Sequence, residues 1–196
     1  MIPAIVLAAG ASSRMGQPKA LLRTGDRTFV RRVIDTLRVA GVPDVVIVVR
    51  PGADDVVREI AAAGFGRAVV NPDPARGQLS SLVLGLDAID EPRVVAALVT
   101  LVDVPLIAPA TVTTLVSRVP GSEAGILRAT CRGRHGHPVV FTRALFDALR
   151  HADPAVGAKS VMRAHAIEDV EVDDPGVIED VDTPGDYRRV IESMSE

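Results

Sequence analysis

The chain has 196 residues, 47% of them hydrophobic, which is enough for one domain with a sizeable core and argues against disorder. A net charge of −3 and an aromatic content of 3% exclude the electrostatic footprint of a nucleic-acid binder and the stacking platforms of a single-strand binder. The lone Cys131 excludes an intramolecular disulfide and a Cys-rich zinc site.

The first element is the apolar run Ala4–Ala9, which reads as a buried strand. It meets Gly10-Ala11-Ser12-Ser13-Arg14-Met15-Gly16-Gln17-Pro18-Lys19. Gly10 and Gly16 permit backbone angles or close approaches that a Cβ would hinder. A chain held this way can turn several N–H groups toward an anion, and Arg14 and Lys19 add positive charge where a polyphosphate would lie. A plain strand-to-helix turn with solvated cations is the alternative. The spacing is neither that of a P-loop, since Lys19 lies three residues beyond Gly16, nor that of a Gly-x-Gly-x-x-Gly fingerprint.

Val30, Val33, Ile34 and Leu37 then recur at helical spacing, and Gly41 ends that helix. The β-branched run Val45–Val49 is a strand. A helix over 54–63 ends at Gly64, and a short strand covers 67–70. A loop over 71–77 leads into a helix at about 79–90, where Ser80 and Ser81 are helix-start hydroxyls that also suit a polar ligand. Residues 94–102 form the most apolar strand, expected at the centre of the sheet with both faces buried. Asp103 follows it directly and emerges at the sheet's carboxyl edge. A carboxylate there is placed for a hard cation, and Mg²⁺ is held by one or two carboxylates plus substrate phosphates. A loop or helix-capping aspartate ahead of Pro109 is the alternative, since Pro109 opens another helix.

In the second half, strands at 124–130 and 137–141 flank a turn at 131–136. Helices cover 143–150 and 157–165, a strand lies near 168–172, and a last helix starts at about Thr183. Thr183, Pro184 and Asp186 read as that helix start. Asp180 and Asp182 share one side of an extended segment, and one of them could complete a metal site with Asp103. Strands alternating with helices imply a three-layer α/β fold with a mostly parallel sheet. Ligands of such sheets bind beyond the carboxyl ends of the strands, so the loops after residues 9, 71 and 102 are expected to face one crevice.

Residues 7–19 resemble the signature Leu-Ala-Ala-Gly-x-Ser-x-Arg-Met-Gly-x-x-Lys of the MobA-like nucleotidyltransferases at every fixed position. Asp103-Val104-Pro105 is similar to the family's Asp-x-Pro, although Val104 departs from the usual middle residue. The stretch Asp180–Pro184 is similar to Asp/Asn-x-Asp/Asn-Thr-Pro. Asn71 and Gly77–Leu82 resemble Asn-x-x-x-x-x-Gly-x-Ser-Ser-Ser-Leu, with Leu79 in place of the first serine. Gly136–Phe141 resembles Gly-His/Asn-Pro-x-x-Phe, and Gly157-Ala158-Lys159 resembles a Gly-Ala-Arg segment.

This resemblance implies a single domain over 1–196 with the three-layer α/β/α, Rossmann-like nucleotide-diphospho-sugar transferase fold and a mostly parallel mixed sheet. It implies transfer of NMP from an NTP to a phosphorylated acceptor, with release of pyrophosphate. Leu7, Ala8, Ala9, Gly10, Ser12, Arg14, Gly16, Lys19, Asn71, Gly77, Ser80 and Ser81 would contact the nucleotide. Lys19, Arg14 and Asp103 would be catalytic. Asp103, with Asp182 preferred over Asp180, would hold Mg²⁺. His137 and Lys159 would line the acceptor pocket; a structural edge-strand histidine and a solvated helix cation are the alternatives. Ala9 resembles the cytidylyltransferase branch, which implies CTP, a molybdopterin-type acceptor and a molybdoenzyme receiving the product. Guanylyl transfer, a sugar- or alcohol-phosphate acceptor, or a non-catalytic cofactor-delivery protein are the other readings. The N-terminus shows no charged n-region and cleavage site, and apolar runs stay far short of the roughly 20 residues of a membrane span, so a cytoplasmic protein without a membrane partner is expected.

Overall fold

The computed structural model describes residues 1–11 and 15–193. In chain order the elements are β1 (Ala4–Ala8), β2 (Arg23–Thr24), β3 (Arg27–Thr28), α1 (Phe29–Val39), β4 (Val45–Val49), α2 (Asp54–Ala63), β5 (Arg67–Val70), α3 (Gln78–Ile89) and β6 (Ala96–Leu101). They continue with α4 (Pro109–Arg118), β7 (Ile126–Cys131), β8 (Arg134–Thr142), α5 (Phe146–Arg150), α6 (Lys159–Ala164), β9 (Ile167–Glu171) and α7 (Pro184–Ser193). Among the described residues, seven strands form one sheet in the order β5-β4-β1-β6-β8-β7-β9. All its pairings are parallel except the two made by β8. No helix among the described residues is long and apolar enough to cross a membrane.

Alternation along the strands builds the three layers. Ala4 and Val6 of β1, with Val45, Ile47 and Val49 of β4, pack with α1, α2, α4 and α7. Ile5 and Leu7, with Val46 and Val48, pack with α3, α5 and α6 on the other face. A strand buried on both faces must be apolar throughout, which is why β4 reads as an unbroken run. Gly85 lets α3 close onto the sheet: a Cβ there would lie 2.4 Å from Cγ2 of Ile5.

Several expected boundaries move. β1 ends at Ala8 and β6 runs only over Ala96–Leu101. The helix expected over 143–150 divides into a 3₁₀ turn at Arg143–Leu145 and α5, and the one over 157–165 shortens to Lys159–Ala164. The expected 131–136 connector is a correction: Cys131 and Arg134 already pair, leaving Arg132-Gly133 as the turn. Both turn residues have positive φ (53° and 71°), which gives a two-residue turn the twist of the flanking strands. The β2–β3 ribbon has no counterpart in the sequence reading, because two-residue strands are too short to show alternation.

From β1 the chain crosses to β4 on one side; from β6 it continues toward β8 and β7 on the other. The gap between the carboxyl ends of β1 and β6 is therefore the topological switch point, where open α/β sheets place their ligands.

Candidate functional site

Three segments meet at that point. Lys19 opens a short 3₁₀ turn anchored by the buried Ala20 and Leu22, with the Leu22 N–H donating to the Lys19 carbonyl at 3.0 Å. Asp103 sits just past β6. Its carbonyl accepts from the Val181 N–H at 2.9 Å, which ties the 180–182 segment alongside. Thr183 and Asp186 then cap α7 reciprocally: Asp186 Oδ2 accepts from the Thr183 N–H at 2.7 Å, and Thr183 Oγ1 accepts from the Asp186 N–H at 3.2 Å. Asp186 Oδ2 also accepts from the Thr183 hydroxyl at 2.7 Å, and the hydrogen bonds that the carboxyl accepts hold it below the usual range, that from the hydroxyl foremost.

The result is a charge triad. Lys19 Nζ donates to Asp103 Oδ2 at 2.8 Å and to Asp182 Oδ1 at 2.5 Å. The Lys19 and Asp103 side chains are 14% and 19% exposed, whereas Asp182 is 50% exposed. Burial by itself would lower the Lys19 pKa, but the hydrogen bonds and charges of Asp103 and Asp182 outweigh it and raise the pKa. Lys19 is thus a fixed cation at neutral pH. The helix-capping alternative for Asp103 is answered by another residue: buried Asp174 accepts from the Ala108 N–H at 2.8 Å and Thr111 Oγ1 at 2.6 Å, and so caps α4.

Two cavities open at this end of the sheet, and Lys19 and Asp103 line the first. One, of about 600 Å³, is lined by Leu7–Ala11, Lys19, Arg50–Ala53, Gly77, Gln78, Ser81 and Asp103. The other, of about 690 Å³, lies over β8 and β7 and includes His137 and Lys159. Leu7, Gln78 and Leu101 border both, so the two spaces join over the ends of β1 and β6, with Lys19 and Asp103 on the wall of the first.

Of the expected nucleotide residues, Leu7, Ala8, Ala9, Gly10, Lys19, Gly77 and Ser81 line the first cavity. Gly16 does not; at φ 67° it turns the chain. Asn71 and Ser80 sit behind the wall, in a smaller depression. Asn71 is buried and its amide nitrogen donates to Ser80 Oγ and Ser81 Oγ, each at 2.9 Å, while its oxygen accepts from the Asp73 N–H at 3.0 Å. It fixes the loop that presents Gly77 and Ser81. Ser12 and Arg14 lie outside the described residues.

His137 is half-buried, and its Nδ1 has no hydrogen-bond partner among the described residues. Burial lowers its pKa although Asp103 and Asp180 oppose the shift, which leaves a neutral imidazole at pH 7. The sequence reading missed the Arg50–Ala53 loop and Gln78. The first follows β4 at the same sheet edge, a signal that strand order would have given.

The family model of the MobA-like NTP transferase domain matches residues 4–170. The nicotine blue oxidoreductase of Paenarthrobacter nicotinovorans is 32% identical over 97% of this chain and 96% of that protein. The molybdenum cofactor guanylyltransferase of Rhizobium meliloti is 57% identical over 42 residues, 20% of this chain and 19% of that protein. Among solved structures, Rv0371c of Mycobacterium tuberculosis H37Rv superimposes with a TM-score of 0.84 at 34% identity, covering 97% of both chains. A manganese complex of Rv0371c superimposes at 0.78 with 29% identity, covering 98% of each.

Proposed function

The chain belongs to the MobA-like NTP transferase domain family, and from that premise we propose that it transfers NMP from an NTP, preferentially CTP, to the phosphate of a molybdopterin-type acceptor. The observation that carries this reading is Lys19 held between Asp103 and Asp182 at the wall of the first cavity, which joins the second at Leu7, Gln78 and Leu101.

An acceptor phosphate oxygen attacks the α-phosphorus from the second cavity. The bond to the α–β bridging oxygen breaks, and its electron pair leaves on pyrophosphate. A phosphate monoester is already ionised at neutral pH, so the step needs no strong base; the barrier is the meeting of anions. Lys19 lowers that barrier by placing fixed positive charge between the α-phosphate and the acceptor. The backbone of Ala9–Ala11, with Arg14, holds the outer phosphates at the end of β1.

The donor set fits a divalent ion. Two hard carboxylates converge on one cation, and the described residues contain no group of three His, Cys, Asp or Glu for a closed metal cage. Asp103 and Asp182 would hold Mg²⁺ or Mn²⁺, which would supply positive charge against that of the phosphates. Ala9 supports CTP, because it lies on the cavity wall at the position where the cytidylyl and guanylyl branches differ.

The test is pyrophosphate release from each NTP with molybdopterin and Mg²⁺. Release with CTP above the other NTPs supports the full reading; release with GTP alone moves the base preference; no release with any NTP removes the enzyme and leaves a delivery protein. A second reading follows from the relative that spans nearly the whole chain and is named an oxidoreductase. Oxidation or reduction of nicotine blue by the protein, without pyrophosphate release from any NTP, would favour it.

A further inference from the structure

The second cavity carries more positive charge than one transferred phosphate requires. Its wall holds three cations, Arg128, Lys159 and Arg163, beside His135 and the neutral His137, and no carboxylate. Asp169, outside the wall, pairs with Arg128 at 2.8 Å and lies 3.6 Å from His135. Lys159 and Arg163 have no such compensation among the described residues. They are one helical turn apart on α6, exposed, and share a face. The floor between them and the sheet is apolar, with Leu82, Val139, Phe141 and Ile167.

Strand register locates this charge relative to the transfer point. Val99 of β6 pairs with Val139 of β8, so the same register carried two residues further sets His137 level with Leu101, at the joint of the cavities. Arg128 of β7 pairs with Val139 from the far side. It is two strands away from β6, about 10 Å at the usual strand spacing. Val161 and Met162 of α6 pack in the same core as Val139 and Phe141, which places the helix over this end of the cavity.

We infer that Lys159 and Arg163, on the helix that covers the β7–β8 side of the second cavity, form a subsite for a second anionic group of the acceptor, apart from its reacting phosphate. The subsite selects acceptors charged at both ends over neutral sugar or alcohol phosphates. The apolar floor takes the body between the two charges. This rests on the transferase reading for the position of the reacting phosphate.

The test uses two probes that differ by one charge, 3-(4-phosphonooxyphenyl)propanoate and the corresponding propanamide, titrated calorimetrically into the intact protein. The propanoate should bind at least about tenfold more tightly, a factor expected of one well-placed ion pair. Arg163→Gln and Lys159→Gln should each bring the two affinities together, and Arg163→Lys should keep most of the difference. Both side chains are exposed, so the variants retain the fold. Equal affinities in the wild type, no binding of either probe, or a preference untouched by Arg163→Gln would overturn the subsite. Pyrophosphate release with CTP is measured separately: its absence would remove the transferase reading while the charge preference of the cavity still stood or fell on the titration.

Discussion

Lys19, Asp103 and Asp182 show what individual residues contribute. Asp103→Asn removes one carboxylate charge but leaves Lys19 its contact with Asp182. Turnover should fall by about 10²–10³, the range for loss of one preorganised electrostatic partner, while the melting temperature moves little. Lys19→Met should depress kcat far more than it raises the KM for the nucleotide, because its charge acts where charge develops; a pure KM effect would assign Lys19 to binding alone. Chelation with EDTA should abolish pyrophosphate release, and added Mg²⁺ or Mn²⁺ should restore it. Lys19 and Asp103 were legible because one follows a Gly-rich turn and the other an apolar strand, and Asp182 from its spacing with Asp180 ahead of Thr183-Pro184. Their contact was not: Lys19 and Asp182 are 163 positions apart, and no local pattern encodes that distance.

At the scale of elements, close approaches and capping decide stability. Gly85→Ala forces a methyl group against Ile5 and should cost about 1–3 kcal/mol in chemical denaturation. Asp174→Ala leaves the Ala108 N–H and Thr111 hydroxyl without their acceptor, and should cost a similar ~1–3 kcal/mol. Asp90 links α3 to α5 through Arg150 and Arg143 at 2.6 Å each, and the Arg150 hydrogen bond foremost holds its carboxyl below the usual range. A depressed carboxyl pKa stabilises the folded state above the unfolded value of about 3.8 and loses that contribution as the pH falls through the folded value. Asp90→Asn should therefore lower the urea midpoint at pH 7, with the deficit closing at acidic pH. Most elements were legible from periodicity and punctuation. Residues 131–136 were misjudged because glycine and charge suggested a long turn, whereas pairing with β7 extends β8 to Arg134. Asp174 gave no signal at all, since the helix it caps begins 65 residues earlier.

For the whole molecule, both core clusters share one sheet, and the segment carrying Asp182 is tied to the loop after β6. We propose that residues 1–196 unfold as one cooperative unit, which calorimetry should show as a single transition. Saturating CTP with Mg²⁺ should raise its midpoint, by the equivalent of about 2.7 kcal/mol at a hundred times the dissociation constant. The sequence by itself determined the layered α/β architecture and the chemistry available at the sheet edge, because burial periodicity and the residue types after each strand are local properties of the chain. Only the tertiary structure decided which of those residues meet. Strand order put Lys19 between Asp103 and Asp182, set Asn71 and Ser80 behind the cavity wall, and gathered Lys159, Arg163 and Arg128 around one apolar floor. Strand order is fixed by long-range packing and crossover geometry, and neither is written in any short stretch of the sequence.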